Sequence, residues 1–363
     1  MGTDVFVMSP LLPLIADHFH VPISSAGLGL TVFALSYAGL APVFGHYGDR
    51  HGRRIPIVAG LITLGISNAV TAWAPNFSVF LIARFIAGGA AAAITPSVYA
   101  ATGDLAPSAR RGAWLAIVGS GVFTALWSSA PLGSLLGYRV GWPPVFLILA
   151  VVPLVLAGAN FLVMSDAGHE PKRERGGYGR LVQDVSVTTL WGAALYGTFT
   201  YLGAGLKMDG HCSPRQISLG IASYGVGMVA GGISGGNLAD RFGSRRVTAV
   251  SCVLLSLTVL VLRAFIGRYV YALAALFAFS YTAALFFPAY QSFLAVHHGG
   301  RRGAALAWNN SALYVGVTVG SFVGGRIFDR FGFRGIPVMS SIFSVLALAW
   351  GWRLQAPRQA TPA

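Results

Sequence analysis

The chain has 363 residues, of which 55% are hydrophobic and only 10% charged, and its mean hydropathy is +0.67. A water-soluble domain carries about a quarter of its residues as Asp, Glu, Lys and Arg, so this composition excludes a large soluble core. The formal charge of +14 does not mark a nucleic-acid binder, because the Lys and Arg fall in short clusters between apolar runs, as in membrane-protein loops.

In chain order the apolar runs predict twelve spans, at 2–16, 24–45, 55–73, 78–101, 113–137, 144–163, 185–206, 218–238, 247–265, 269–296, 303–325 and 336–354. Most are hydrophobic on all sides, and in lipid only a helix satisfies its own backbone within one segment. The first run is short: about 15 residues rise only about 22 Å, against a hydrocarbon core of about 30 Å. This predicts that the true start lies upstream. One long polar segment, residues 164–184, separates the sixth span from the seventh. The predicted fold class is therefore an all-α polytopic membrane protein of two six-helix halves, 1–163 and 185–363, joined by a basic linker at 164–184. Cys212 falls in a loop and Cys252 in a span, which argues against a disulfide between them.

A short basic signature recurs between these spans. It reads GHYGDRHGRR at 45–54, GNLADRFGSRR at 236–246 and GRIFDRFGFR at 325–334, with a worn copy, SLLGYRVGW, at 134–142. The marking residues are Asp49, Tyr138, Asp240 and Asp329, at intervals of 89, 102 and 89 residues. Fixed-period similarity marks a repeat, here a unit of three spans, and the longer middle interval contains the linker. Alternate loops and the C-terminal tail, starting with 46–54, hold sixteen Lys and Arg, whereas the other loops hold eight. This places the 46–54 loop, the linker and both termini in the cytoplasm. Adjacent units then have inverted topology.

These residues resemble the major facilitator superfamily. Its loop between helices two and three carries Gly-x-x-x-Asp-Arg-x-Gly-Arg-Arg/Lys, matched by Gly45, Asp49, Arg50, Gly52, Arg53 and Arg54. The loop between helices eight and nine repeats it with Gly236, Asp240, Arg241, Gly243, Arg245 and Arg246. Within that family the chain looks most like the proton-coupled drug and sugar exporters. The carriers of that likeness are RFIAGGAAAA on helix four with Arg84 and Gly88, APLGS at 130–134 on helix five, and AWNNSALYVG on helix eleven. Ala130, Ser134 and Leu126 replace glycines of the exporters' helix-five pattern. The resemblance implies a latch on the cytoplasmic side formed by Gly45, Asp49, Arg50, Gly52 and Arg53, with Asp240 and Arg241 as its counterpart. Physically, Gly45 and Gly48 admit a close neighbour, Gly52 permits the turn, Asp49 accepts charged hydrogen bonds, and the arginines also meet anionic lipid.

Eleven acids are spread along the chain, and only Asp4 is expected inside a span. A carboxylate there is costly enough to be a functional candidate by default; the resemblance to the exporters implies that Asp4 carries the coupling proton or meets a cationic substrate, and an acid near a water-exposed terminus is the alternative. Arg84 is the basic residue deep in a span, expected to face the central cavity as counter-charge to Asp4 or as control of a proton relay; snorkelling to an interface is the alternative. His297 and His298 flank a predicted turn and read as solvated. In the resembling family helices one, four, seven and ten line the cavity. Helix seven offers Tyr196 and Tyr201, helix ten Phe287, Tyr290 and Gln291, and helix eleven adds the amides Asn309 and Asn310, which need partners when buried. Aromatics of this kind suit flat, partly apolar or cationic solutes.

The expected function is proton-coupled efflux of a small organic molecule by a monomer in the bacterial inner membrane. An importer of a small metabolite on the same fold is the alternative, since fold alone does not set direction. No phosphate loop, nucleophile triad or metal-ligand spacing is present, so neither an enzyme nor a metal or cofactor is expected. A sensor or scaffold is disfavoured, because no soluble domain is attached.

Overall fold

A computed structural model describes residues 2–107, 110–164, 179–298 and 302–355. Every regular element among them is helical. In chain order these are α1 (Gly2–Phe6), α2 (Met8–Phe19), α3 (Ile23–His51), α4 (Arg54–Ala72), α5 (Phe77–Leu105), α6 (Arg111–Thr124), α7 (Ala130–Val140) and α8 (Pro143–Val163). The second series is α9 (Gly179–Met208), α10 (Pro214–Phe242), α11 (Ser244–Phe265), α12 (Tyr269–Ala284), α13 (Phe286–His297), α14 (Arg302–Phe331) and α15 (Ile336–Gln355). Nine described spans are long and apolar enough to cross a membrane. The pair α1–α2, the pair α6–α7 and the single helix α9 supply the other membrane-length units, which gives the expected twelve-span layout.

Three spans are broken, and proline explains each break. Pro10 has no N–H for the Phe6 carbonyl and its ring crowds that oxygen, so α1 ends at Phe6 and α2 begins at Met8. The first span thereby runs from Gly2 to Phe19, beyond the expected end at residue 16. Ala125–Ser129 forms a π-turn just before Pro131 in the first turn of α7, the widening by which a helix accommodates an interior proline. The seam at Leu285 between α12 and α13 repeats the first case: Pro288 has no N–H for the Ala284 carbonyl, so α12 ends at Ala284 and α13 begins at Phe286. Side chains such as Ile66, Ile82, Val151, Val155, Leu257 and Ile342 are exposed on the outer faces. In water such a belt would be anomalous; in lipid it is the solvated surface.

The repeat is written in the backbone as well. Gly52, Gly141, Gly243 and Gly332 have φ of +90°, +91°, +86° and +64°, and they are the positive-φ glycines among the described residues. Each lies three residues beyond a signature mark, including the worn copy at Tyr138. A Cβ is disfavoured at such angles, which accounts for glycine persisting in all four copies while the acid does not.

The first half packs α4 on α5 and α8, and α3 on α5; the second packs α9 on α14 and α15, and α10 on α12. At Gly88 an added Cβ would overlap the Phe33 carbonyl, so α3 and α5 touch backbone to backbone. The halves meet through α3 with α14, α2 with α9, and the π-turn and α7 with α10. We call the end carrying loops 46–54 and 241–246 the basic end and the other the distal end. Towards the distal end the halves are tightly joined. The Ser9 hydroxyl donates to the Phe199 carbonyl at 2.5 Å, Lys207 meets Asp17 at 3.3 Å, and the Ser218 hydroxyl donates to the Pro131 carbonyl at 2.8 Å. Tyr201 fills a seat made by Gly27 and Gly325 and donates to the Ser321 carbonyl at 2.8 Å. At the basic end, by contrast, Gly45 of α3 and Gly236 of α10 face open space.

Both cysteines are free and buried; burial also pushes the Cys212 thiol up from its ordinary range. The linker expected at 164–184 overlaps α9, which begins at Gly179, and residues 165–178 lie outside the described residues.

Candidate functional site

Asp4 and Arg84, 80 residues apart, come together inside the first half. Arg84 Nη1 lies 3.5 Å from Asp4 Oδ1, and the two side chains are 0% and 1% exposed. Nη2 donates to the Asp4 carbonyl at 3.2 Å and Nη1 to Asn68 Oδ1 at 3.3 Å. Asn68 Nδ2 in turn donates to the Leu149 carbonyl at 3.1 Å, which fixes the amide orientation. The guanidinium lies over the rings of Phe33 and Phe146, at 4.9 and 5.4 Å from their centroids. Helices α1, α3, α4, α5 and α8 each contribute one wall.

Two expectations about Arg84 are corrected by this geometry. It does not snorkel to an interface, and it is enclosed within the first half rather than open to a central cavity. The reason is local: its hydrogen-bonding and aromatic partners all lie on neighbouring helices of its own half. Asn68 was not singled out in the sequence, although the rule applied to Asn309 and Asn310 covers it equally, since a buried amide needs partners.

Asp4 also has a route to the second half. Two residues on, Phe6 stacks on Tyr196 of α9 with centroids 6.4 Å apart and meets Phe199 edge-on at 5.7 Å. A displacement of α1 is therefore felt directly by α9. Midway along the interface, Tyr37 of α3 stacks on Tyr314 of α14 at 3.7 Å, and Tyr37 also engages the Thr95 side chain. This tyrosine contact between the halves was not anticipated, because neither residue lies on helices one, four, seven or ten.

The expected solute-binding residues divide. Tyr196 is on the inter-half aromatic contact just described. Tyr201 is a packing residue, seated between helices with its hydroxyl occupied. Phe287 is half-buried and stacks on Trp191 at 5.7 Å. Tyr290 is buried and donates to the Asp184 carbonyl at 2.6 Å. Gln291 and Asn310 are half-buried. Asn309 is fully buried; its Oδ1 accepts from the Thr188 hydroxyl at 2.6 Å, while its Nδ2 has no partner among the described residues.

In the signature loop Gly52 makes the expected turn, but Gly45 admits no neighbouring helix, since nothing lies within 4 Å of an added Cβ. Gly48 does the spacing instead: an added Cβ would meet Arg53 Nη1 at 3.0 Å and Ser97 Oγ at 3.5 Å. The Asp49 side chain lies outside what is described. Arg50, Asp240 and Arg241 are exposed. Arg54 donates to the Phe161 carbonyl at 2.6 Å and lies over the Phe161 ring at 4.7 Å, tying the start of α4 to α8.

Two further expectations are overturned in the second half. Asp184, assigned to the linker, is 4% exposed inside α9, so Asp4 is not the single acid within a span. His298 is not solvated: its Nε2 lies 2.8 Å from Asp184 Oδ2, with the side chains 9% and 6% exposed.

Twelve spans in two joined halves, with an ion pair sealed in the bundle and further polar groups at the junction, define a multi-pass membrane transport protein. Family comparison agrees, as the model for the Major Facilitator Superfamily matches residues 1–209 and 192–363. The chain belongs to that superfamily. It is 26% identical over 339 residues to the uncharacterized MFS-type transporter YceJ of Bacillus subtilis (strain 168), covering 91% of this chain and 86% of that protein. It is 25% identical over 357 residues to the inner membrane transport protein YdhP of Escherichia coli K12, covering 96% and 91%. A chloramphenicol resistance protein of Streptomyces lividans is 28% identical over 252 residues, covering 66% and 64%. Among solved structures, a bacterial homolog of the human lysosomal transporter Spinster, inward-facing and unoccupied, superposes with a TM-score of 0.75 at 17% identity, covering 97% of this chain and 93% of that one.

Proposed function

We propose that the chain is a proton-coupled exporter of a small organic solute, acting as a monomer in the bacterial inner membrane with the basic end and both termini in the cytoplasm. The observation that carries this reading is the buried Asp4–Arg84 pair. A carboxylate that deep is a functional candidate, and adding a proton to it cancels its half of the pair. Arg84 keeps Asn68, the Asp4 carbonyl and two aromatic faces, so the cation remains supported after the proton arrives. The altered seat of Asp4 reaches α9 through Phe6 and Tyr196. Protonation then biases the equilibrium between states open at opposite ends.

The halves are joined at the distal end here, which is an inward-facing arrangement on this orientation. Asp240 and Arg241, exposed, fit a latch that is released in this state and closes with Asp49, Arg50 and Arg53 when the basic end shuts. Tyr196, Phe287, Gln291 and Asn310 form the proposed solute-facing set, and Tyr201, Tyr290 and Asn309, buried with their polar groups engaged in packing contacts, are withdrawn from it. The similarity to a chloramphenicol resistance protein makes chloramphenicol the first solute to try.

Susceptibility profiling tests this. A drug-sensitive strain overproducing the chain should tolerate at least one small organic compound several-fold better, and Asp4→Asn, at matched membrane abundance, should remove that protection. Protection that survives Asp4→Asn in full would refute the coupling role of Asp4. Sensitivity unchanged across a broad panel, or increased, would refute export.

A further inference from the structure

The buried Asp184–His298 contact has no part in the mechanism above, yet it is built as a second ionisable site. Asp184 lies five residues into α9, and His298 caps the end of α13. They face each other at the basic end at 2.8 Å, nearly sealed from solvent. The seat is further organised around them. Tyr290 of α13 donates to the Asp184 carbonyl at 2.6 Å. One turn along α9, Thr188 donates to Asn309 of α14 at 2.6 Å, and Ser186 accepts from Trp350 Nε1 of α15 at 2.8 Å.

A path for protons is present as well. His297 is exposed, stacks on Phe293 at 5.3 Å and meets the His298 ring edge-on at 5.2 Å. Imidazole is the side chain whose ordinary titration falls between pH 5 and 8. A sealed carboxylate without a cation is strongly disfavoured, so the charge on His298 decides whether Asp184 is tolerated where it lies. Among the described side chains, the other titratable or charged groups on the elements around the pair are Tyr290 and His297 on α13, the exposed Arg180 on α9, Cys252 on α11, which acts on Tyr290, Arg245 and Arg246 at the start of α11, and Arg353 at the end of α15.

We propose that Asp184 and His298 form a second proton-binding site, at the basic end of the second half, whose occupancy clasps α9 to α13. The proton passes from water to His297 and on to His298. Held on His298, it gives an imidazolium–carboxylate pair that keeps the two helix ends together. When the proton leaves, Asp184 faces a neutral imidazole in place of an imidazolium and the ends part. The clasp is therefore present at lower pH, with the proton held, and lost at higher pH, when the proton has left. The site stands apart from Asp4, which belongs to the other half.

The test uses the full chain in lipid nanodiscs, with Cys212 and Cys252 replaced and spin labels at Val182→Cys and Val296→Cys, whose native side chains are exposed by 46% and 85%. Between pH 5.5 and 8.5 the distance distribution should move from one narrow population to a longer or broader one, in a single titration. His298→Gln and Asp184→Asn should each abolish that change, and His298→Arg, always charged, should hold the short distance across the range. His297→Gln and Asp4→Asn should both keep the equilibrium titration. A distribution that ignores pH in the unmodified site overturns the proposal, as does a titration that survives His298→Gln. No transported solute is involved, so failure here leaves the reading of Asp4 standing, and failure of that reading leaves this one standing.

Discussion

Replacing Arg84 by Ala should destabilise the protein by about 3–5 kcal/mol, the usual cost of removing one partner of a buried ion pair. The expectation follows from what Arg84 leaves behind. The Asp4 carboxylate, 1% exposed, loses its counter-charge, and the Asp4 carbonyl and Asn68 Oδ1 lose their donors. Phe33 and Phe146 lose the cation between them. No water replaces these groups in so sealed a position without a cavity opening first. Asp4→Asn should be far milder, because Arg84 keeps the remaining acceptors and both rings. The two changes should also be non-additive, as expected for residues in direct contact: the double variant Asp4→Asn, Arg84→Ala should lose less stability than the two single losses added together. Reversible unfolding in mixed micelles, followed for the four proteins, measures this. Losses that simply add in the double variant would show that the pair is not the organising contact.

Gly203→Val should move the conformational equilibrium instead of unfolding either half. At Gly203 an added Cβ would overlap the Ser9 carbonyl and lie 2.7 Å from Pro10 Cα. Pro13 has already deprived that carbonyl of its helical donor, and the Gly203 N–H donates to Ser9 Oγ at 3.3 Å. This is a backbone-on-backbone seal between halves, so valine's bulk is relieved by moving α2 from α9, not by repacking a core. Overpacking typically costs about 1–3 kcal/mol, and about 1.4 kcal/mol is tenfold in an equilibrium. The ratio of distal-open to distal-closed molecules should rise about five- to 150-fold. Spin labels at Trp73→Cys and Tyr271→Cys report the distal separation, and labels at Leu105→Cys and Val296→Cys report the basic one. The first distance should lengthen while the second shortens. If both lengthen together, the halves do not rock about a shared interface.

How much of this was legible in the sequence depends on the scale of the signal. Long apolar runs and a fixed-period signature are one-dimensional, so the helices, the repeat and the family could be read directly. Asp4 and Arg84 were legible for a related reason, since charge inside an apolar run stands out against its background. Their arrangement was not: the enclosure by Asn68, Phe33 and Phe146 depends on which faces of four other helices converge. Asp184 was lost for a different reason. Its neighbours Arg180 and Gln183 make the start of α9 look like linker, so its burial appears only once the helix is seen to begin at Gly179. His298 sits 114 residues away, and nothing in the local sequence pairs the two. Tyr201 shows the opposite error, because a tyrosine on a cavity-lining helix can equally fill a gap between glycines.

Proton binding at Asp4 is the proposed drive for solute movement. The most direct measurement is flux in proteoliposomes, using a compound selected by susceptibility profiling and an imposed pH difference. Wild type should move the compound opposite to the proton gradient and reverse direction when the gradient is reversed. Asp4→Asn should exchange labelled for unlabelled compound but fail to concentrate it. Uphill transport retained in Asp4→Asn, or movement in the same direction as the protons, would contradict the account.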